Sequence, residues 1–493
     1  MRLQDVLIDV TDLPIPAAAA AMDIPAVWDD SRRVTPGSLF AALPPAASVT
    51  RNGDVFIADA LVRGAKVVIM AKGAAFDPPE GCPADVCFLH VDDPRAVFHA
   101  AAGRFYGPLS RRVRAMGVTG TNGKTTITYF LESILRQAGH ACGVVGTVNY
   151  RVGARSMPSK NTTPGFLDNQ IFLAGLASEG VGYAVMEVSS HALAQGRVDG
   201  IDFCGGIFTN LTGDHLDEHG TMENYFLAKA HLFSGLSPDA FAVINLDDAY
   251  GRRLVPMTRA RVLTYGIDAP ADITAHIDAF SLAGTRLRIR AMGREFPVCT
   301  HFIGRHNIYN ILAAFAAGIG AGLDPDRVCA GLEALACVPG RLERVDCGQD
   351  FCVFIDYAHT DDGLQNVLTC LKAVPHQRLI VVFGCGGDRD RTKRPRMGRV
   401  ACALADRVVI TSDNPRSEDP EGIIAQIVPG FSKDIYDIVP DRAQAIETAI
   451  AMARKDDIVL LAGKGHETCQ ILREKTIDFN ERDIVTRILG RKG

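Results

Sequence analysis

Thr119-Gly120-Thr121-Asn122-Gly123-Lys124-Thr125-Thr126 reads TGTNGKTT, and its flanks decide what it means. An apolar run ends at Val118. A helix-like pattern follows, with Ile127, Phe130, Leu131, Ile134 and Leu135 at its apolar positions. Strand, glycine loop, Lys-Thr and helix form the layout of a phosphate cradle. Backbone N–H groups and the helix N-terminus face the phosphates, a lysine neutralises them, and a hydroxyl reaches a magnesium ion. The common loop of this kind has a glycine five places before Gly123. Val118 holds that place here, and glycines stand at Gly117 and Gly120, so the loop is a variant. It predicts a bound nucleoside triphosphate. Lys124 is placed for the β- and γ-phosphates and Thr125 for magnesium. Gly120, Thr121, Asn122, Gly123 and Thr126 complete the nucleotide loop.

Working outward, apolar strand candidates recur at 113–118, 143–148, 183–188, 206–211 and 241–246, with helical patterns between several of them. This predicts a mainly parallel, doubly wound α/β sheet. Ligands in such sheets bind at the carboxyl ends of the strands. Polar clusters sit at those ends: TGTNGKTT, Asn161–Thr163, EVSSH at Glu187–His191, NLTGDH at Asn210–His215, and NLDD at Asn245–Asp248. Beyond Pro339-Gly340, strands at 352–355, 379–383, 408–411 and 458–461 lead into DYAH, GCGGDRD, SDNPR and GKGHE. These predict a second ligand-facing rim on a Rossmann-like domain. Ahead of both blocks, strands at 67–71 and 87–91 belong to a mixed α/β segment ending near Tyr106-Gly107-Pro108. The expected fold is three α/β domains, 1–108, 109–338 and 339–493, with a central P-loop-type sheet and a C-terminal Rossmann-like domain.

Composition narrows the function. The 493 residues suffice for about three domains. Hydrophobic content of 47% with 22% charged residues is an ordinary globular balance. A net charge of -5 favours neither nucleic acid nor an anionic membrane surface. Thirteen scattered cysteines without a CxxC pair read as reduced thiols in a cytoplasmic protein. The N-terminus carries acids within its apolar part, unlike a signal peptide. No apolar run reaches the roughly 20 residues of a spanning helix.

Several residues carry chemistry. Glu187 ends an apolar strand beside Ser189 and Ser190, where a carboxylate serves as a second magnesium ligand or as a solvated strand end. His215 and His219 stand at i, i+4 in DHLDEH. That spacing suits a zinc pair, yet no third histidine or cysteine ligand is evident, which favours a structural or magnesium-related role for His215. Lys229 lies in the apolar run YFLAKAHLF. By chemistry alone it reads as a snorkelling side chain, although a buried lysine near metal ions has a lowered pKa and reacts with carbon dioxide. Arg341, in GRLER, is either a cationic finger for the γ-phosphate or a solvated linker charge. The basic run from Arg389 to Arg399 is interrupted by Asp390 and lacks aromatic residues. A small carboxylate ligand fits it better than nucleic acid does.

In order, TGTNGKTT, NTT, EVSSHAL, NLTGDHLDEHGTMENYFLAKAHLF, HNIYN, GRLE, DYAHT, GCGGDRDRTKRP, DNPR and GKGHE resemble the Mur ligase family, ATP-dependent enzymes that build the peptidoglycan peptide. The match covers nearly the whole chain, and the family's own phosphate loop is the TGTNGKT variant. The resemblance implies that Asn307, Asn310, Arg341 and Asp356 lie around ATP. It implies that Ser31 contacts the uridine nucleotide, and that Asn161, Thr162, Thr163, Ser189, Gln195 and Arg197 hold the muramoyl-dipeptide. DNPR is the family's signature for meso-diaminopimelate, so Arg416 would hold the far carboxylate of that amino acid, with Arg389, Asp413, Asn414, Pro415, Gly463 and Glu467 around it. Lys229 matches the family's carbamylated lysine, which replaces the snorkelling reading. Thr125, Glu187, His215 and Lys229 would form the metal set, and Lys124, Glu187, His215, Lys229 and Arg341 the catalytic set. Two places depart from the pattern: Thr360-Asp361 stands where Thr-Pro is common, implying a changed local turn, and the nucleotide-contacting loop near Thr50–Asp54 matches the family poorly, which leaves Ser31 as the uridine contact.

The implied reaction joins meso-diaminopimelate to the D-glutamate of UDP-MurNAc-L-Ala-D-Glu through an acyl phosphate, with ATP as substrate and Mg2+ as cofactor. Domain closure would keep water from the acyl phosphate. A cytoplasmic monomer that binds neither nucleic acid nor membrane is expected. The rivals are a lysine-adding relative, a folylpolyglutamate synthase, and a nucleotide-binding protein without ligase activity.

Overall fold

Four short parallel strands, Val27–Trp28, Leu39–Ala41, Val67–Ala71 and Cys87–Val91, lie side by side in chain order at the start of the protein. The computed structural model describes residues 1–10, 15–44, 52–74, 76–78, 82–214 and 216–490. The helix Pro94–Ser110 follows the last of these strands. Its N-cap Asp93 accepts from the backbone N–H groups of Arg95 and Ala96, and proline at the first helical position suits the start. The helix buries Val97, Phe98, Ala101 and Ala102 in one core with Val27, Leu39, Val67, Ile69 and, from a later helix, Phe166 and Leu167. Tyr106-Gly107-Pro108, expected as a boundary, lie in the last turns of this helix.

The chain divides into two compact units. One comprises 1–115, 163–184 and 191–203; the other comprises 116–162, 185–190 and 204–493. The second unit is built on two large sheets. In the first, the order runs 294–300, 284–291, 273–281, 261–265, 241–245, 203–208, 114–119, 183–187, 142–145, 149–152, 155–158. Strands 203–208 and 241–245 pair in parallel, as expected, and 261–265, a strand the sequence reading did not include, joins them in parallel. Both wings are antiparallel, which the sequence reading did not anticipate. The strands Gly284–Ala291 and Arg294–Thr300 alternate buried with more exposed residues over much of their length, the pattern of a sheet with one wet face, while Ile273–Ser281 buries only Ile273.

The other sheet has the order 343–345, 352–356, 458–462, 379–383, 407–410, 436–438. Only its first pair is antiparallel. Leu379–Phe383 and Ile458–Ala462 are buried along their whole length, because hydrophobic cores lie on both faces of the sheet. The four predicted strands of this Rossmann-like block are all present. Thr360 caps the helix Asp361–Lys372 by accepting from Gly363 N. Asp361 is thus the first helical residue, a position that proline fills equally well, so Thr-Asp and Thr-Pro fit the same helix start. No helix of the described residues is long and apolar enough to cross a membrane.

Candidate active site

The phosphate loop joins the strand Arg114–Thr119 to the helix Lys124–Gln137. All five predicted apolar helix positions are buried, which fixes the helix on the sheet and its N-terminus at the strand end. Gly120 and Gly123 have φ of +145° and +90°. A Cβ on Gly120 would stand 1.8 Å from Thr209 Oγ1, and one on Gly123 would stand 2.3 Å from Asn310 Oδ1. Glycine is therefore required twice, by backbone conformation and by close packing. Asn210, which opens the NLTGD segment, and Thr209 just before it brace the loop. Thr121 N donates to Asn210 O at 2.9 Å, Asn122 N to Asn210 Oδ1 at 3.0 Å, and Thr209 Oγ1 to Asn122 O at 2.7 Å.

Lys124 Nζ donates to the carbonyls of Gly120 (2.8 Å) and Thr121 (2.9 Å). Lys229, only 1% exposed, donates to the same Gly120 carbonyl at 3.0 Å, with its nitrogen 4.4 Å from the centre of the Tyr225 ring. Burial, then the charge of Lys124, holds the Lys229 amine well below the usual lysine range. Burial also lowers Lys124. The snorkelling reading of Lys229 fails for a simple reason. Tyr225, Lys229 and Phe233 are spaced i, i+4, i+8, and that helix face is buried.

Glu187 is buried at the end of its strand. Oε1 accepts from Thr147 N and Oε2 from Thr147 Oγ1, both at 2.9 Å. Thr147 Oγ1 also lies 3.1 Å from Thr162 Oγ1. On the other side of the fold's phosphate machinery, Arg341 donates from Nη2 to Thr125 Oγ1 at 3.1 Å. Its guanidinium carbon is 4.6 Å from the Tyr357 ring centre, and its Nε is buried without a hydrogen-bond partner. Arg341 is thus not a solvated linker charge. Asp356 pins its turn, accepting from Leu342 N (2.7 Å) and Ala358 N (2.8 Å). Asn307 and Asn310 are buried at the start of the helix Arg305–Gly320, joined by a 3.1 Å hydrogen bond from Asn310 Nδ2 to Asn307 Oδ1. A further contact comes from Asp362, whose Oδ2 accepts from Asn122 Nδ2 (2.9 Å) and Thr212 Oγ1 (3.3 Å).

The second rim gathers DNPR and GKGHE. Asp413, Asn414 and Pro415 are buried, and Asn414 Nδ2 donates to Glu467 Oε2 at 2.8 Å. Lys464, fully buried, donates to Asn414 Oδ1 (3.0 Å) and Glu467 Oε2 (2.8 Å). Arg416 sits at φ +52°, a left-handed conformation uncommon for a non-glycine residue, and its Nη1 donates to Gly387 O at 2.8 Å. Strain of this kind is held where surroundings fix it, and collects at ligand sites. Arg389 is exposed and donates to Asp388 O. The rest of the basic run is largely neutralised internally: Arg391 and Arg394 pair with Glu418, and Arg396 with Asp361 and Asp390.

Two family models match the chain, the Mur ligase middle domain over residues 118–318 and the Mur ligase, glutamate ligase domain over residues 340–465. A UDP-N-acetylmuramoyl-L-alanyl-D-glutamate–2,6-diaminopimelate ligase of Solibacter usitatus is 46% identical over 100% of this chain and 99% of its own length. This chain belongs to the Mur ligase family. The ligase of the same name from Geobacter metallireducens is 41% identical over the full length of both chains. A solved structure of a protein with that name superposes with a TM-score of 0.71 at 32% identity, covering 100% of this chain and 99% of that one. The chain is accordingly an ATP-using ligase with the α/β architecture of its family.

In this Mur ligase the expected muramoyl-dipeptide residues fall in both units. Thr163, Gln195 and Arg197 meet in the first, where Arg197 donates to Thr163 O (3.1 Å) and twice to Gln195 Oε1 (2.9 and 2.6 Å). Ser31 is buried in the short turn Ser31–Arg33 of the same unit, whose Arg33 pairs with Asp168. Asn161, Thr162 and Ser189 belong to the second unit. His215 lies outside the described residues, while its neighbour His219 has Nε2 2.9 Å from Ser190 Oγ. Thr147, Asp362, Tyr357 and Lys464 were missed in the sequence. Each stands in or beside a strand-end cluster, and Lys464 lies inside GKGHE itself.

Proposed function

We propose that this Mur ligase joins meso-diaminopimelate to the γ-carboxyl of the D-glutamate in UDP-MurNAc-L-Ala-D-Glu. Arg416 carries the reading: its strained backbone and its bond to Gly387 O aim a guanidinium at the rim, and a planar fork suits a carboxylate. The names of the similar ligases agree with that amino acid. The proposed segments are 1–108 for the uridine nucleotide, with Ser31; 109–338 for ATP; and 339–493 for the amino acid. Gly120, Thr121, Asn122, Gly123, Lys124, Thr125, Thr126, Asn307, Asn310, Arg341 and Asp356 form the ATP site. The enzyme works as a cytoplasmic monomer.

The substrate carboxylate attacks the γ-phosphorus of ATP, the bond to the β-phosphate oxygen breaks, and ADP leaves. Lys124 transfers its hydrogen bonds from the Gly120 and Thr121 carbonyls to phosphate oxygens, and Arg341 stabilises the transferring group from its perch on Tyr357. The amine of the amino acid then attacks the acyl carbon, loses a proton, and displaces phosphate. Asp413, Asn414, Arg416, Gly463 and Glu467 hold that amino acid, with Arg389 and Pro415 beside them.

The residues present fit magnesium. Thr125 and Glu187 offer hard oxygen donors close to the phosphate loop, and the Glu187 carboxylate is oriented by Thr147. His215 is the further proposed ligand. Lys229, whose amine burial holds well below the usual lysine range, adds to carbon dioxide; the new N–C bond releases one proton and gives a carbamate, which would supply a further oxygen ligand. Magnesium would neutralise charge on the transferring phosphoryl group. The acyl phosphate is tested by label. Oxygen-18 in the substrate γ-carboxylate is expected in the released phosphate, and phosphate free of label would overturn the step.

A further inference from the structure

The largest fully buried side chains among the described residues are arginines, Arg394 and Arg442. Arg442 begins the helix Arg442–Met452, and its guanidinium touches the starts of both rim loops. Nη1 lies 3.4 Å from Ser412 O, just before Asp413, and Nη2 donates to Ala462 O at 2.8 Å, just before Gly463. Nε donates to Glu481 Oε1 at 2.9 Å, and Glu481, at the start of the helix Glu481–Gly490, is fully buried. Nη1 is also 3.9 Å from Asp413 Oδ2.

The charges around this arginine do not balance. Two cations, Arg442 and Lys464, face three carboxyls, Asp413, Glu467 and Glu481. Asp413 Oδ2 and Glu481 Oε2 are buried with no hydrogen-bond partner. Such atoms are costly unless something completes them. Burial pushes the Glu481 carboxyl up, Arg442 and Lys464 oppose that rise, and Asp413 adds to it. Gly463 borders the orphaned oxygen: a Cβ there would stand 2.8 Å from Asp413 Oδ2. The missing partner is therefore a cation that approaches past a bare glycine.

We propose that Arg442 and Glu481 are positioning residues for the amino-acid site: they fix the starts of the DNPR and GKGHE loops and leave one carboxyl in excess, which an ammonium group of the incoming diamino acid completes. Arg442 is a fork because one end must reach two strands and a helix, which a single lysine nitrogen does not do. The inference rests on the amino-acid site proposed above, although neither residue is assigned to that site by the motifs.

The test compares Glu481→Gln and Arg442→Lys with the wild type. It measures KM separately for meso-diaminopimelate, ATP and the muramoyl-dipeptide, together with thermal unfolding. Glu481→Gln keeps an acceptor for Arg442 and removes the surplus carboxyl. It is expected to raise KM for diaminopimelate about tenfold, the scale of a hydrogen-bonded charge, while both other KM values stay unchanged. Arg442→Lys is expected to raise the same KM further. A folded Glu481→Gln enzyme with wild-type KM for diaminopimelate would overturn the proposal, as would three KM values rising together. If Arg442→Lys does not fold, Glu481→Gln alone decides. A wild type that does not use diaminopimelate sinks the substrate reading instead, and the same KM comparison is then made with the amino acid it does use.

Discussion

Lys124 and Lys229 converge on one acceptor, the carbonyl of Gly120, at 2.8 and 3.0 Å. Two ammonium groups sharing one oxygen in a buried setting is a costly arrangement, and it is relieved when one amine sheds its proton. Lys229 is the more deeply buried of the two, and burial pushes both amines down. The arrangement prepares both residues: Lys124 has carbonyl bonds to exchange for phosphate, and the Lys229 amine is held below the usual lysine range.

This has a pH signature. The folded Lys229 pKa is depressed, so the unfolded chain binds more protons between that value and 10.5. Stability therefore rises with pH across that window. Urea unfolding of the protein in carbon-dioxide-free buffer is expected to show this rise, and Lys229→Met is expected to flatten it. An equal slope in both proteins would mean that Lys229 is charged when folded. Separately, labelled bicarbonate is expected to give a carbamate carbon resonance that Lys229→Arg lacks.

Arg341 spans from the Tyr357 ring to Thr125 Oγ1. Arg341→Ala is expected to lower kcat by about a thousandfold, the low end for a cationic finger in phosphoryl transfer. Tyr357→Phe keeps the ring and is expected to leave kcat near that of the wild type. Tyr357→Leu removes the cation–π contact and is expected to cost about fivefold. Steady-state rates with saturating substrates measure all three, and equal rates for Tyr357→Leu and wild type would rule out the ring as support.

Asp362 ties the first turn of the helix Asp361–Lys372 to Asn122 and Thr212. Burial pushes its carboxyl up. Asp362→Asn retains an acceptor, whereas Asp362→Ala leaves Asn122 Nδ2 without its partner. The alanine variant is expected to raise KM for ATP about tenfold and the asparagine variant far less, as measured by ADP release across ATP concentrations. Identical effects of the two would point to charge rather than to the hydrogen bond.

Strand-end chemistry explains what could be read from the sequence. Arg114–Thr119, Tyr183–Glu187 and Ile458–Ala462 are continuous apolar runs that stop at polar clusters, so both strand and site were legible together. Ile273–Ser281, Gly284–Ala291 and Arg294–Thr300 have no such clusters at their ends, and only the last two carry an alternation that marks them. Residues acting across long sequence distance were the hardest. Asn122 and Asp362 are 240 positions apart, and Arg442 and Glu481 lie outside every recognised motif. Lys229 reads as a snorkelling side chain by local chemistry alone; the family resemblance replaces that reading, and the buried face it shares with Tyr225 and Phe233 gives the physical reason.

In the proposed reaction Arg416 selects a second carboxylate on the incoming amino acid. Its guanidinium is aimed by Gly387 O and its backbone is held at φ +52°. Loss of a forked, charge-assisted contact costs about 2–3 kcal/mol, or roughly a hundredfold in kcat/KM. The direct measurement is ADP release with UDP-MurNAc-L-Ala-D-Glu and ATP, comparing meso-diaminopimelate with L-lysine in wild type and Arg416→Ala. Turnover with diaminopimelate and little with lysine is expected in the wild type, and loss of that preference in Arg416→Ala. Equal turnover of the two amino acids by the wild type, or an unchanged preference in Arg416→Ala, would contradict this selection.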